Sequence, residues 1–133
     1  MTDNQTLFEY RLQQAEETLL DAGKMLKSHV SARSIANRAY YAMFYGVLAL
    51  FLEEDIPIKT SKHAGLISIF NKEFIHSGKL DKKYSMMLHQ LFEKRQEGDY
   101  KDFVILTKED AVESIAMARE FLTGIKEFIK NRS

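Results

Sequence analysis

Apolar residues along this chain recur at three- and four-residue steps almost throughout, so the pattern predicts an all-α protein. A first helix over about 6–29 places Leu7, Phe8, Leu12, Ala15, Leu19, Ala22 and Leu26 on one face, with Glu9, Glu16, Glu17 and Lys24 opposite and toward water. A second starts at a Ser31 cap and runs to 53 or 54. Its apolar band, from Ile35 through Ala39, Tyr40, Phe44 and Val47 to Phe51, is wide enough for a central helix or a dimer interface. Pro57 biases Ile56 away from helical geometry and marks a connection. A third helix is expected over about 62–75, ended by Ser77-Gly78. A fourth, over about 81–97, turns Tyr84, Met87, Leu88, Leu91 and Phe92 inward and is closed by Gly98. Thr107-Lys108-Glu109-Asp110 reads as a capping box for the last helix, with Asp in the place of the usual Glu or Gln. Short connections between long helices make antiparallel neighbours, hence an up-and-down antiparallel bundle of four to five helices.

The chain has 133 residues, which fits one domain over 1–133, large enough to bury roughly two-thirds of the surface of its unfolded form. No residue is Cys, which excludes disulfides and thiolate chemistry and makes the cytoplasm the default compartment. The N-terminus lacks the basic and apolar regions of a secretory signal. The longest apolar stretch, about 39–52, is interrupted by Tyr and Gly and reads as too short to span a bilayer. Net charge is zero, so no global field draws the chain to nucleic acid. Locally, residues 59–83 carry six Lys against Glu73 and Asp81. A solvated helix face accounts for that surplus, and a phosphate-facing lip is the sharper alternative.

Two polar groupings interrupt the helical pattern. In Ser34-Ile35-Ala36-Asn37-Arg38-Ala39-Tyr40-Tyr41, Asn37 and Tyr41 lie four apart and share a face with Phe44 and Tyr45. An amide, a guanidinium and phenols could line one groove; the plain alternative is amphipathic core tyrosines and an Arg38 that snorkels or pairs with a carboxylate. In Arg95-Gln96-Glu97-Gly98-Asp99-Tyr100, a planar phosphate-binding fork sits near a carboxylate and a phenol, although a helix C-terminus favours a cation on its own. His63 is the best-placed imidazole for function, while His29 and His76 fall near helix ends. None of the four His stands at a metal-ligand spacing, so no metal and no cofactor are expected, and phosphate loops and nucleophile elbows are missing from the sequence.

Taken together, Asn37-Arg38-Ala39-Tyr40-Tyr41-Ala42, then Lys62-His63-Ala64-Gly65, then Arg95 with Asp99-Tyr100, resemble the HEPN family over about 5–128. The resemblance implies a bundle of four or five helices that usually dimerises around a polar cleft. It implies either a metal-independent endoribonuclease of the toxin type, often neutralised by a small nucleotidyltransferase, or a module that binds nucleotides or proteins. In the family's ribonucleases an Arg, followed after a short spacer by a His, stabilises the phosphorane while the His moves protons. Arg95 matches that Arg, but five residues on stands Tyr100, whose phenol ordinarily ionises near pH 10.

The expectation is therefore a HEPN-like bundle that binds RNA or a nucleotide phosphate. Arg95 and Arg38 would hold the phosphate, Asn37 and Asp99 orient them, and Tyr41 and Tyr100 stack or hydrogen-bond. Any catalysis would draw on Arg95, Tyr100 and a His63 projecting into the same cleft. The alternative is a non-catalytic module that docks on itself or on a nucleotidyltransferase.

Overall fold

The computed structural model describes residues 3–60, 62–100 and 105–131, with the side chains at 97–100 excluded. Five α-helices make up the fold: α1 (Asp3–Lys27), α2 (Ala32–Glu53), α3 (His63–Phe70), α4 (Lys82–Tyr100) and α5 (Lys108–Asn131). No strand occurs among the described residues. The all-α expectation holds, and α2 is the central element, packed against α1, α4 and α5.

Several helix ends have a local cause. The Ser31 side chain accepts from the Ser34 N–H, capping α2. Asp81 accepts from the Lys83 N–H at 2.8 Å ahead of α4. The box ahead of α5 is reciprocal: Asp110 accepts from the Thr107 N–H at 2.8 Å, and Thr107 Oγ1 accepts from the Asp110 N–H at 3.1 Å. α1 and α2 end in the same turn without glycine. His29 (φ 59°) and Asp55 (φ 54°) take the left-handed position, and the following N–H groups, of Val30 and Ile56, reach back to Met25 and Phe51 carbonyls. His29 is therefore a backbone corner rather than only a cation near a helix end.

Two expectations are corrected. The third helix does not run evenly to residue 75: after Phe70 the turns widen into a π-helical segment, Asn71–Ile75, whose closing bond runs from the His76 N–H to the Asn71 carbonyl at 2.8 Å. Asn71 Oδ1 accepts from the Ser85 hydroxyl at 2.6 Å and ties this segment to α4. Nor does Gly98 close the fourth helix, which continues to Tyr100. A glycine inside a helix costs only about 1 kcal/mol relative to alanine, and it ends a helix only where the backbone takes the left-handed turn.

The core is built on α2. Tyr40, Met43, Val47, Leu50 and Phe51 are buried there against Phe70 and Phe74, Leu88 and Leu91 of α4, and Phe121, Leu122 and Ile125 of α5. Each such side chain removed from water contributes about 1.5–3 kcal/mol. The width of the α2 band is thus accounted for within one chain. By length and composition this helix could cross a bilayer, contrary to the expectation from its apolar stretch, yet 67% of that window is buried inside the bundle. On α1 the expected stripe holds at Ala15 and Ala22, but Leu7 is 41% exposed, and Glu16 meets Lys126 of α5 at 2.8 Å as well as water.

α2 and α5 approach tightly at Gly46, where an added Cβ would lie 2.5 Å from Leu122 Cδ2. Gly46→Ala is expected to force Leu122 out of its seat and cost about 1–3 kcal/mol, read as a lower urea midpoint with an unchanged slope.

Candidate functional site

Positions 37, 40, 41 and 44 of α2 follow helical spacing, so their side chains form one patch beneath α4 and the start of α3. Arg95 of α4 lies across it. Its Nε donates to Asn37 Oδ1 at 2.9 Å, and Nη2 makes a longer bond to the Tyr41 hydroxyl at 3.4 Å. The guanidinium carbon stands 5.5 Å from the Tyr40 ring centroid and 5.4 Å from that of Tyr41. A cation over aromatic faces gains about 0.5–2 kcal/mol, and the two bonds fix the plane of the fork.

His63 enters the same patch from the first residue of α3. Its ring stacks on Phe44 with centroids 4.1 Å apart and planes 22° apart, and Nδ1 shares a 2.9 Å hydrogen bond with the Tyr40 hydroxyl. Tyr41 meets the imidazole edge-on at 5.6 Å, and Phe92 of α4 packs on Tyr40 at 5.8 Å. The preceding loop is held by Thr60, whose Oγ1 accepts from the Lys62 N–H and whose methyl occupies the place a Cβ on Gly65 would need. Tyr40 is wholly buried, whereas Asn37, Tyr41, His63 and Arg95 are each partly exposed. Phe44 also lines an adjoining groove of about 510 Å³, walled by Leu7, Leu48 and Leu66 with Arg11 and Lys59 among its lining residues.

Electrostatics follow from this placement. Burial pushes the Tyr40 phenol well above its ordinary range, only partly offset by Arg95. Burial, and then the Arg95 charge, hold His63 below its ordinary value of 6.5, so the imidazole is neutral at pH 7.

Of the residues singled out in the sequence, Asn37, Tyr41, His63 and Arg95 come together. Arg38 does not join them: it turns to α1 and pairs with Asp21 at 3.0 Å, both side chains 46% exposed. Position 38 is one step, about 100°, around the helix from Asn37, so it faces a different neighbour. An exposed pair of this kind contributes little to stability. The side chains of Asp99 and Tyr100 lie outside the described residues. Tyr40, Phe44 and Phe92 belong to the patch; the sequence left Tyr40 and Phe44 open between a groove and the core, and Phe92 read only as core. The run of rings at 40, 41, 44 and 45 is the signal that could have marked them. Among the described residues, no three His, Asp or Glu side chains converge as metal ligands would.

The arrangement is a guanidinium held across a partly exposed aromatic patch where α2, α3 and α4 of an all-α bundle meet. Residues 8–128 match the HEPN domain, and the chain belongs to that family. It is 36% identical over 131 residues to a UPF0332 protein of Thermotoga maritima, covering 98% of this chain and 97% of that one. Two Methanocaldococcus jannaschii proteins bearing the name "putative toxin" are 30% and 34% identical, over 92% and 87% of this chain and 82% and 84% of their own lengths.

Because the folded pKa of His63 is depressed, the unfolded chain takes up this proton first as pH falls. The resulting stability is complete above about pH 6.5 and is lost as pH drops through that value toward the folded pKa. Between pH 7.5 and 5.5 the urea midpoint of the parent is expected to fall more steeply than that of His63→Gln.

Proposed function

We propose that this chain binds RNA through a backbone phosphate at Arg95, and that it is a toxin-type member of its family acting on RNA. The observation that carries the reading is the guanidinium held by Asn37 and Tyr41 above two aromatic rings, with an imidazole on the same rings. A planar fork matches two phosphate oxygens, and a partly desolvated one does so more strongly than an exposed lysine. The adjoining groove supports RNA over a bare phosphate, since its apolar wall suits a base and Arg11 and Lys59 suit the next phosphate. The names of the two archaeal relatives support the toxin reading.

The reaction suited to such a site is attack of the ribose 2′ oxygen on the adjacent phosphorus without a metal: the 2′ proton passes to solvent water, the bond to the 5′ oxygen breaks and that oxygen takes a proton from water, leaving a 2′,3′-cyclic phosphate and a 5′ hydroxyl. Arg95 stabilises the phosphorane, His63 offers its imidazole to the cleft, and Tyr100, with Asp99, lies one helical turn beyond Arg95. The domain 1–133 acts as one unit, and a homodimer would bring two such clefts into one particle.

RNA binding and metal-free cleavage by the isolated chain, compared with Arg95→Ala and Tyr100→Phe, test this reading. Arg95→Ala is expected to weaken binding by about tenfold or more, the size of a lost charged hydrogen-bond partner. Unchanged affinity in that variant sinks the reading and leaves a module that docks on itself or on a nucleotidyltransferase. Light scattering of the chain, alone and co-expressed with such a partner, reads both assemblies.

A further inference from the structure

The Tyr40–His63 bond has a direction that the chemistry of its surroundings decides. Tyr40 is wholly buried and its hydroxyl stays protonated. A buried O–H has to donate, and the hydrogen-bond partner of this one is His63 Nδ1 at 2.9 Å. Among the described side chains, the rest of its surroundings offers no acceptor of comparable strength. Phe44, Phe92 and Tyr41 present rings, and the Arg95 guanidinium above carries donors only. If Nδ1 carried the proton and donated to Tyr40, the phenol proton would be left against apolar walls and a cation. Nδ1 therefore accepts, and a neutral imidazole whose Nδ1 accepts has its single proton on Nε2.

We propose that Tyr40 is a positioning residue that locks His63 in the Nε2–H tautomer, so that His63 presents a hydrogen-bond donor, not a base, to an oxygen of a phosphodiester held at Arg95. This deepens the reading of the Arg95 cleft as an RNA-phosphate site and rests on it for the ligand, though not for the tautomer. Protonating His63 would place a hydrogen on Nδ1 against the Tyr40 O–H and add a second cation beside Arg95. The described side chains against the imidazole are Tyr40, Tyr41 and Phe44 from α2, with the Arg95 guanidinium of α4 acting on it by charge. With Nδ1 occupied and the ring neutral, the cleft binds the phosphate with one positive charge and two kinds of donor. His63 then stabilises charge on a non-bridging oxygen, in the ground state and in a phosphorane, while solvent water takes the 2′ hydroxyl proton and supplies one to the leaving 5′ oxygen.

The experiment has two arms. Long-range proton–nitrogen NMR of the His63 ring in the full chain reads the tautomer directly. The expected pattern is an unprotonated Nδ1 and a protonated Nε2 from pH 6.5 to 8, giving way to a tautomer mixture in Tyr40→Phe. An Nδ1–H tautomer or an imidazolium in the parent overturns the proposal, as does a Tyr40→Phe spectrum identical to the parent's. In the second arm a 2′-O-methyl RNA oligonucleotide, which cannot be cleaved by its own 2′ oxygen, reports affinity. His63→Gln, whose amide N–H stands near the place of Nε2–H, is expected within about twofold of the parent, and His63→Ala weaker by about tenfold. Equal losses in both variants, with Arg95→Ala also impaired, overturn the donor role while leaving the RNA site standing. Full affinity in Arg95→Ala removes the RNA site itself and, with it, the assigned ligand.

Discussion

A helix surrounded by other helices can carry polar atoms only where each is paired, and α2 is such a helix. Its Tyr40 ring fills the core while its hydroxyl meets the imidazole of His63, and its Asn37 amide, one turn earlier, takes the Nε proton of Arg95. These two bonds join α3 and α4 to α2 at the point where all three approach. That junction is thus where the central helix pairs the polar atoms of its Asn37 and Tyr40 side chains.

The aromatic rings decide the electrical character of that place. Arg95 stands over the faces of Tyr40 and Tyr41, where the cation is favoured, and the same guanidinium discourages a second cation on His63. Phe44 and Phe92 thicken the wall and keep water from the buried phenol. One fixed charge, one neutral imidazole and one unionised phenol are the stable combination. The Arg95 charge acts on both titrating neighbours, opposing the rise of the Tyr40 phenol and adding to the fall of the His63 imidazole.

Membership of the HEPN family and the bundle follow from features spread along the whole chain. Five residues after Arg95 this chain carries a Tyr, at position 100. An imidazole does reach the cleft, but from α3, through His63.

The sequence by itself determined the helical character, the order of the helices and most of their caps, because these are set by interactions within a few residues: the 3.6-residue apolar period, Ser31 on Ser34, Thr107 with Asp110. It also marked Asn37, Tyr41, His63 and Arg95 as candidates by residue type. Only the tertiary structure decided which of them meet. Arg38 and Asn37 are neighbours in the chain yet face Asp21 and Arg95 respectively, because one step along a helix is about 100° around it. Tyr40 is core by its ring, but its hydroxyl belongs to the site, a role that appears only when α3, more than twenty residues on, folds back to bring His63 within 2.9 Å. Gly98 read as a stop, yet α4 passes through it, because a glycine's permissiveness ends a helix only where the backbone takes the left-handed turn.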